Sequence, residues 1–226
     1  MAGKEYGIER LYHSFCDYLK ENGEKIAPLM ISGRIEDYLV KEFVYHIYSV
    51  TAGESFAFVN LGKTNRREKR VDICVATTDS DGIYIYGMLE AKYLRNNHRI
   101  EIGTAEDENY TLLKGLSAQI GQYNRETHGG YRVKLKSHQK YIYGLVFAGY
   151  VSDNKNNKND KDRFYRDIKE KAEKCGLKYH DLKEPYLPTV IFDDFHLHLL
   201  DRDFYVTLKS GLWRREGNVK SDSSPQ

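Results

Sequence analysis

The stretch that decides the fold is "RVDICVATTDSDGIYIYGMLEAKY", residues 70 to 93. Two runs rich in β-branched and aromatic residues flank "TDSDG", whose Asp81-Gly82 pair is a hairpin-turn signal. The pattern predicts strands over about 70–77 and 83–93. Three charged residues, Asp72, Glu90 and Lys92, nevertheless sit inside the runs. Unpaired charge is expensive to bury, so such residues need a partner or a task. Alternation along a strand sets Tyr84, Tyr86, Met88, Glu90 and Lys92 on one face, with Ile83, Ile85, Gly87, Leu89 and Ala91 on the other. With the turn centred near Ser80, Asp72 lies across from Met88 and Glu90 is its diagonal neighbour, about 7–8 Å away. A one-residue change of register would send the two carboxylates to opposite faces.

Two carboxylates that converge on a sheet repel each other unless a cation sits between them. Oxygen donors favour a hard divalent ion, Mg²⁺ first and Mn²⁺ second. A lysine beside the pair can hold a water and offset charge that builds on a phosphoryl oxygen. That set suits hydrolysis of a phosphodiester by a metal-held water. Acid-x-base triplets are frequent by chance in a chain with 33 acidic and 35 basic residues, so Glu90-Ala91-Lys92 alone also fits an edge-strand ion pair. Asp72 at compatible parity raises the metal-site reading to equal weight, and the order of the surrounding elements raises it further.

Working outward, residues 4–22 carry Ile8, Leu11, Tyr12, Phe15 and Leu19 on one helical stripe, closed by Asn22-Gly23. A second helix is predicted over 33–50, with Ser32 as cap and Ile35, Leu39, Phe43, Ile47 and Val50 in helical period. "ESFAFVNLG" (54–62) reads as a strand and the basic run "KTNRREKR" (63–70) as a loop. Downstream the pattern predicts a helix near 110–127, closed by "HGG", and a buried strand over 139–151. A solvated loop (152–162), a charged helix (163–175) and one or two late strands in "PTVIFDDFHLHLLD" follow. The sum is one α/β domain over residues 1–213, with a core at about 30–150, a C-terminal helix and strands over 160–208, and a disordered tail at 214–226.

The chain has 226 residues, 40% apolar and 13% aromatic, which is enough for a sizeable core. A net charge of +2 leaves nucleic-acid binding to local basic patches rather than to a global field. Cys16, Cys74 and Cys175 form no C-x-x-C pair, which argues against thiolate zinc and for a reducing cytoplasm. No signal-type apolar segment and no run of 18 apolar residues is present, so no membrane role is expected.

The residues together resemble the PD-(D/E)XK nuclease superfamily. "RVD", ending in Asp72, is similar to its first motif with Val71 in place of proline, and "LEAKY" matches its E-x-K motif at Glu90 and Lys92. "SGRIEDYLVKEF" is similar to the family's first helix at Gly33 and Glu36, and "QIGQY" to the Q-x-x-x-Y motif of its RecB-like and Cas4-like branch at Gln119 and Tyr123. The likeness spans about residues 30–150.

It implies a restriction-endonuclease-like core, α-β-β-β-α-β, with a mixed sheet flanked by helices. It also implies a Mg²⁺-dependent nuclease, DNA before RNA, in which Asp72, Glu90 and Glu36 hold the metal and Lys92 positions the attacking water. Gln119 and Tyr123 would support the site, and a homodimer that cuts both strands is a further implication.

Alternatives stay open on the residues themselves. Glu36 also fits a helix-dipole cap, and Glu42 is its rival for the site. Gln119 and Tyr123, four apart on one helical face, also fit a satisfied core pair. Arg66, Arg67, Lys69 and Arg70 before Asp72, and Arg95, Asn96, Asn97 and Arg99 after the E-x-K strand, are placed to meet phosphates or base edges. Asp194, His196 and His198 share a strand face and carry a weak second-metal reading. The competing class is a non-catalytic binding or scaffold module of the same fold.

Overall fold

A computed structural model describes residues 4–32, 35–61, 71–79, 82–96, 133–135, 141–174 and 189–216, with the backbone alone for some of these, Glu90 and Lys92 included. Helix α1 (Ile8–Glu21) buries the predicted stripe of Ile8, Leu11, Tyr12, Phe15 and Leu19. Asn22 ends it and at once begins another helix. Its backbone N–H and its side-chain amide both donate to the Tyr18 carbonyl, while its own carbonyl accepts from Lys25 and Ile26 N–H. Helix α2 (Gly23–Ser32) was not foreseen: it is short, and Pro28 interrupts the period of Ile26, Ala27 and Met30. Ser32 closes α2, its hydroxyl donating to the Leu29 carbonyl at 2.7 Å, rather than capping the next helix. Helix α3 (Glu36–Val50) follows with Ile35 at its N-cap and no side-chain cap bond.

Among the described residues seven strands form one sheet: β1 (Ser55–Leu61), β2 (Val71–Asp79), β3 (Gly82–Arg95), β4 (Val133–Leu135), β5 (Tyr141–Ser152), β6 (Thr189–Leu199) and β7 (Arg202–Glu216). Their order is β1-β2-β3-β5-β7-β6, with β4 along the first part of β3 and β5 along the rest. The β3–β4 and β3–β5 pairs are parallel and the others antiparallel, so the sheet is mixed. The stretch "PTVIFDDFHLHLLD" holds one strand, β6, and a second, β7, begins just after it and runs to Glu216, past the start of the predicted tail.

Helices α1 to α3 cover one face over Ile73, Val75, Leu89, Ala91, Leu145 and Phe147. Helix α4 (Lys158–Lys174) lies on the other face. Its Phe164 ring sits 5.9 Å from that of Tyr150, and its Tyr165 hydroxyl donates to the carbonyls of Ala148 and Thr207. It starts five residues before the predicted helix, inside the expected loop. The predicted helix at 110–127 lies outside the described residues.

The protein is thus α/β, with a mixed sheet between helices. Among the described residues no helix is long and apolar enough to cross a membrane. Cys16 and Cys74 are buried, and burial pushes the Cys16 thiol up to about 12.

One glycine fixes how β5 packs under α2. A Cβ on Gly149 would collide with the Tyr93 hydroxyl and come within 2.6 Å of Met30 Cε. Met30 is fully buried, so the thioether and the Tyr93 ring must shift within packed surroundings to admit a methyl group. Gly149→Ala is expected to cost about 1–3 kcal/mol, the usual range for overpacking. Urea unfolding measures it, and an unchanged midpoint would show that the contact relaxes freely.

Candidate active site

In the hairpin that carries the three charges, Asp79 pairs with Gly82 at the closed end. Pairing then runs from Thr78–Ile83 to Ala76–Ile85, skips Tyr86, and resumes at Val75–Gly87, Cys74–Met88 and Ile73–Leu89. The skipped residue is a β-bulge, which inserts one extra position on β3. Tyr86 accounts for it. Its hydroxyl donates to Ser55 Oγ at 2.9 Å and accepts from Tyr6 N–H at 3.3 Å, which pulls the ring to the α1 side. The expected faces therefore change hands midway. Ile83 and Ile85 join Met88 and Cys74 on the face away from α1–α3, while Gly87 abuts Ile8 and Leu89 and Ala91 enter the main core.

The register shifts with it. Met88 faces Cys74, not Asp72, and one further step brings Asp72 level with Glu90. The expected diagonal is thus a direct cross-strand relation at backbone level. Parity survives because the turn centre and the bulge each move the register by one.

Pairing of β2 with β3 stops at Ile73–Leu89, yet β3 continues to Arg95. Beyond that point two carboxylates take over its N–H groups. Ala91 N–H donates to Asp72 Oδ2 at 2.9 Å, and Tyr93 N–H donates to Glu36 Oε2 at 2.8 Å. N–H groups two residues apart on one strand point to the same edge, roughly 7 Å from each other. Asp72 from the hairpin and Glu36 from the first turn of α3 are both half-buried, and they meet this edge on either side of Lys92 in the chain. The backbones of Glu90 and Lys92 lie level with Gly144 and Val146 of β5.

Glu42, the rival carboxylate, faces elsewhere: it accepts from the Tyr18 hydroxyl of α1 at 2.7 Å. Sequence spacing gave no sign of the edge contacts, since Glu36 and Tyr93 are 57 residues apart.

Arg95 and Asn96, expected near nucleic acid, are engaged within the fold. Arg95 Nη2 donates to the Ile31 carbonyl at the end of α2. The Asn96 amide bonds both the N–H and the carbonyl of Val151, which prolongs the β3–β5 ladder by one side chain. The Tyr93 hydroxyl and Arg95 Nε are buried with no hydrogen-bond partner among the described residues. Arg66, Arg67, Lys69, Arg70, Asn97, Arg99, Gln119 and Tyr123 lie outside those residues.

The expected common face of Asp194, His196 and His198 is broken. Register shifts around Phe192 and a left-handed φ of 48° at Asp194 turn that residue towards Lys161, at 2.8 Å. His196 Nε2 and His198 Nδ1 instead both meet Asp203 Oδ1, at 2.9 and 3.0 Å. Hydrogen bonds from His198 and His196 hold the Asp203 carboxyl below the usual carboxylate range.

Among the described residues no group of three or more His, Cys, Asp or Glu could hold a metal. Asp72 and Glu36 supply oxygen donors of the kind a hard divalent cation takes, and a third would come from Glu90 at the level position on β3. Comparison with family models, curated proteins and solved structures returns no match, so the function is read from these residues themselves.

Proposed function

We propose that the sheet is a restriction-endonuclease-like core and the protein a metal-dependent nuclease that hydrolyses phosphodiester bonds, DNA first, as an endonuclease of restriction, repair or defence type. The observation that carries this is the pair of carboxylates, Asp72 and Glu36, seated on the Ala91 and Tyr93 N–H groups around the E-x-K segment. Backbone donors fix each carboxylate in place, as a site that must not reorganise during a reaction requires. Asp72, Glu90 and Glu36 would hold Mg²⁺, or Mn²⁺ as second choice. When bound, the ion supplies a Lewis acid for the phosphoryl oxygen and a lowered pKa for a ligated water. Lys92 is assigned the attacking water, and Gln119 and Tyr123 the support of the site. The basic segment around 66–70, with Asn97 and Arg99, is assigned to the strand, a second copy of the chain to the opposite strand, and the setting to the cytoplasm.

One observation favours a second reading. Because Asp72 and Glu36 each serve a backbone N–H, they would also suit a non-catalytic binding or scaffold module in which they only cap the strand edge. Plasmid, linear duplex, single-stranded DNA and single-stranded RNA incubated with Mg²⁺, Mn²⁺ or EDTA separate the two. Metal-dependent cutting that disappears in Glu90→Ala is the expected result, and RNA cut in preference would move the substrate class. Lys92→Ala should lose turnover while calorimetry still shows Mg²⁺ bound. Protein that binds nucleic acid and never cuts it would establish the module instead.

A further inference from the structure

A cavity of 470 Å³ opens between the end of β5, the start of α4 and the β6–β7 hairpin. Its inner wall is a fixed charge network. Lys161 Nζ lies 2.8 Å from both Asp193 Oδ1 and Asp194 Oδ1, with only 12% of its side chain exposed. Thr207 Oγ1 donates to Asp193 Oδ1 at 2.8 Å and accepts from Asp194 N–H at 3.0 Å, which secures the left-handed backbone of Asp194. Burial works against charge on Lys161, but the bonds to Asp193 and Asp194 outweigh it and raise the ammonium above the ordinary lysine range. All these bonds fall on the Oδ1 atoms of the two aspartates, whose side chains stay 55% and 45% exposed. Both aspartates also line the cavity, and their Oδ2 atoms carry none of these bonds.

The rest of the lining adds mixed chemistry. Lys155, Lys158 and Lys209 bring cations, Asp162 a further carboxylate, Asn154 and Asn156 amides, and Tyr150 and Tyr205 aromatic rings. Carboxylate acceptors, cations, amides and aromatic surface in one cavity match one chemical class. An anion alone would meet the carboxylates, and a metal ion would meet the ammonium that already fills the space between Asp193 and Asp194. A nucleotide satisfies both kinds of group: phosphate takes the lysines, and the amino edge of a base donates to carboxylate oxygens. The volume lies within the usual range for small-ligand sites.

Position favours a strand over a free nucleotide. Tyr150 is four residues beyond Val146, which is level with Lys92, and the shared parity puts both on the α4 face. At roughly 3.3 Å per residue that is about 13 Å, or nearly four stacked nucleotides at about 3.4 Å each.

We infer that this cavity binds an amino-bearing nucleotide, its phosphate at Lys155 and Lys158 and its base edge at Asp193 and Asp194. The chemistry stands on the cavity; only the link to a scissile strand rests on the nuclease reading. Fluorescence anisotropy in EDTA tests it with dye-labelled oligodeoxycytidine and oligodeoxythymidine. Thymine lacks an exocyclic amine, so the cytidine strand should bind several-fold more tightly. Lys155→Glu with Lys158→Glu should weaken its binding about tenfold or more, and erase the preference. The same charge change at Lys20 and Lys25, on α1 and α2, should alter it less than about twofold.

Equal affinity for the two strands, or equal loss in both double variants, would overturn the inference, as would no binding by the wild type. Displacement by cytidine monophosphate at similar concentration would identify the free nucleotide as ligand; resistance to it would identify the strand. Intact binding without any cutting would sink the nuclease reading and leave the pocket standing.

Discussion

Asp72→Asn should abolish metal-dependent cutting and leave the fold as stable as the wild type. The asparagine oxygen can still accept from Ala91 N–H, which Asp72 Oδ2 does now at 2.9 Å. Only the charge is lost. A neutral amide is a poor ligand for a hard divalent ion, and loss of a single preorganised electrostatic group costs about 10²–10³-fold in rate. Asp72→Ala differs in a telling way. It removes the acceptor as well, and the half-buried N–H left behind costs about 1–3 kcal/mol on unfolding. Both variants inactive, with only the alanine variant destabilised, separates a chemical role from a structural one. Full activity in Asp72→Asn would remove this carboxylate from the mechanism and favour the edge-capping module.

Why some of this could be read from residues alone is a matter of range. The hairpin runs and the apolar stripes of α1 and α3 are local patterns, and the structure has them within a few residues of where the periods put them, except that Val50 at the end of the α3 stripe is exposed. The bulge was not legible. It depends on the Tyr86 hydroxyl finding Ser55, 31 residues away, and the backbone of Tyr6, 80 away. A strict two-residue period consequently assigned Ile83 and Ile85 to the wrong face. Asp72 and Glu90 keep equal parity at backbone level even so, because two one-residue register errors add to an even shift.

The same limit hid the partners of the polar residues. Asn96 suits a base edge by type, but its amide is matched to both backbone groups of Val151. Asp194 belonged on paper with two histidines, until a left-handed residue in β6 gave it to Lys161 on α4. Composition identifies which residues need partners. It does not say which strand edge will supply them.

The two helix carboxylates offer the cleaner discrimination, because they meet different elements, β3 for Glu36 and α1 for Glu42. Glu36 accepts from Tyr93 N–H at 2.8 Å, two residues along the edge from the Asp72 contact. Glu42 accepts from the Tyr18 hydroxyl at 2.7 Å on the α1 side of the helix. Glu36→Gln keeps an acceptor for the N–H and loses the charge, so cutting should fall about 10–100-fold with little change in stability, the usual size for a group that tunes a metal site. Glu42→Gln should leave cutting intact and report itself elsewhere. The hydrogen bond to Glu42, with burial, pushes the Tyr18 hydroxyl up to about 12. Without the carboxylate charge that tyrosine should ionise at lower pH, seen in the tyrosinate absorbance of the variant against the wild type. Full activity in both variants would take α3 out of the mechanism. Activity lost in Glu42→Gln alone would move the site to the α1 side and separate it from the E-x-K strand.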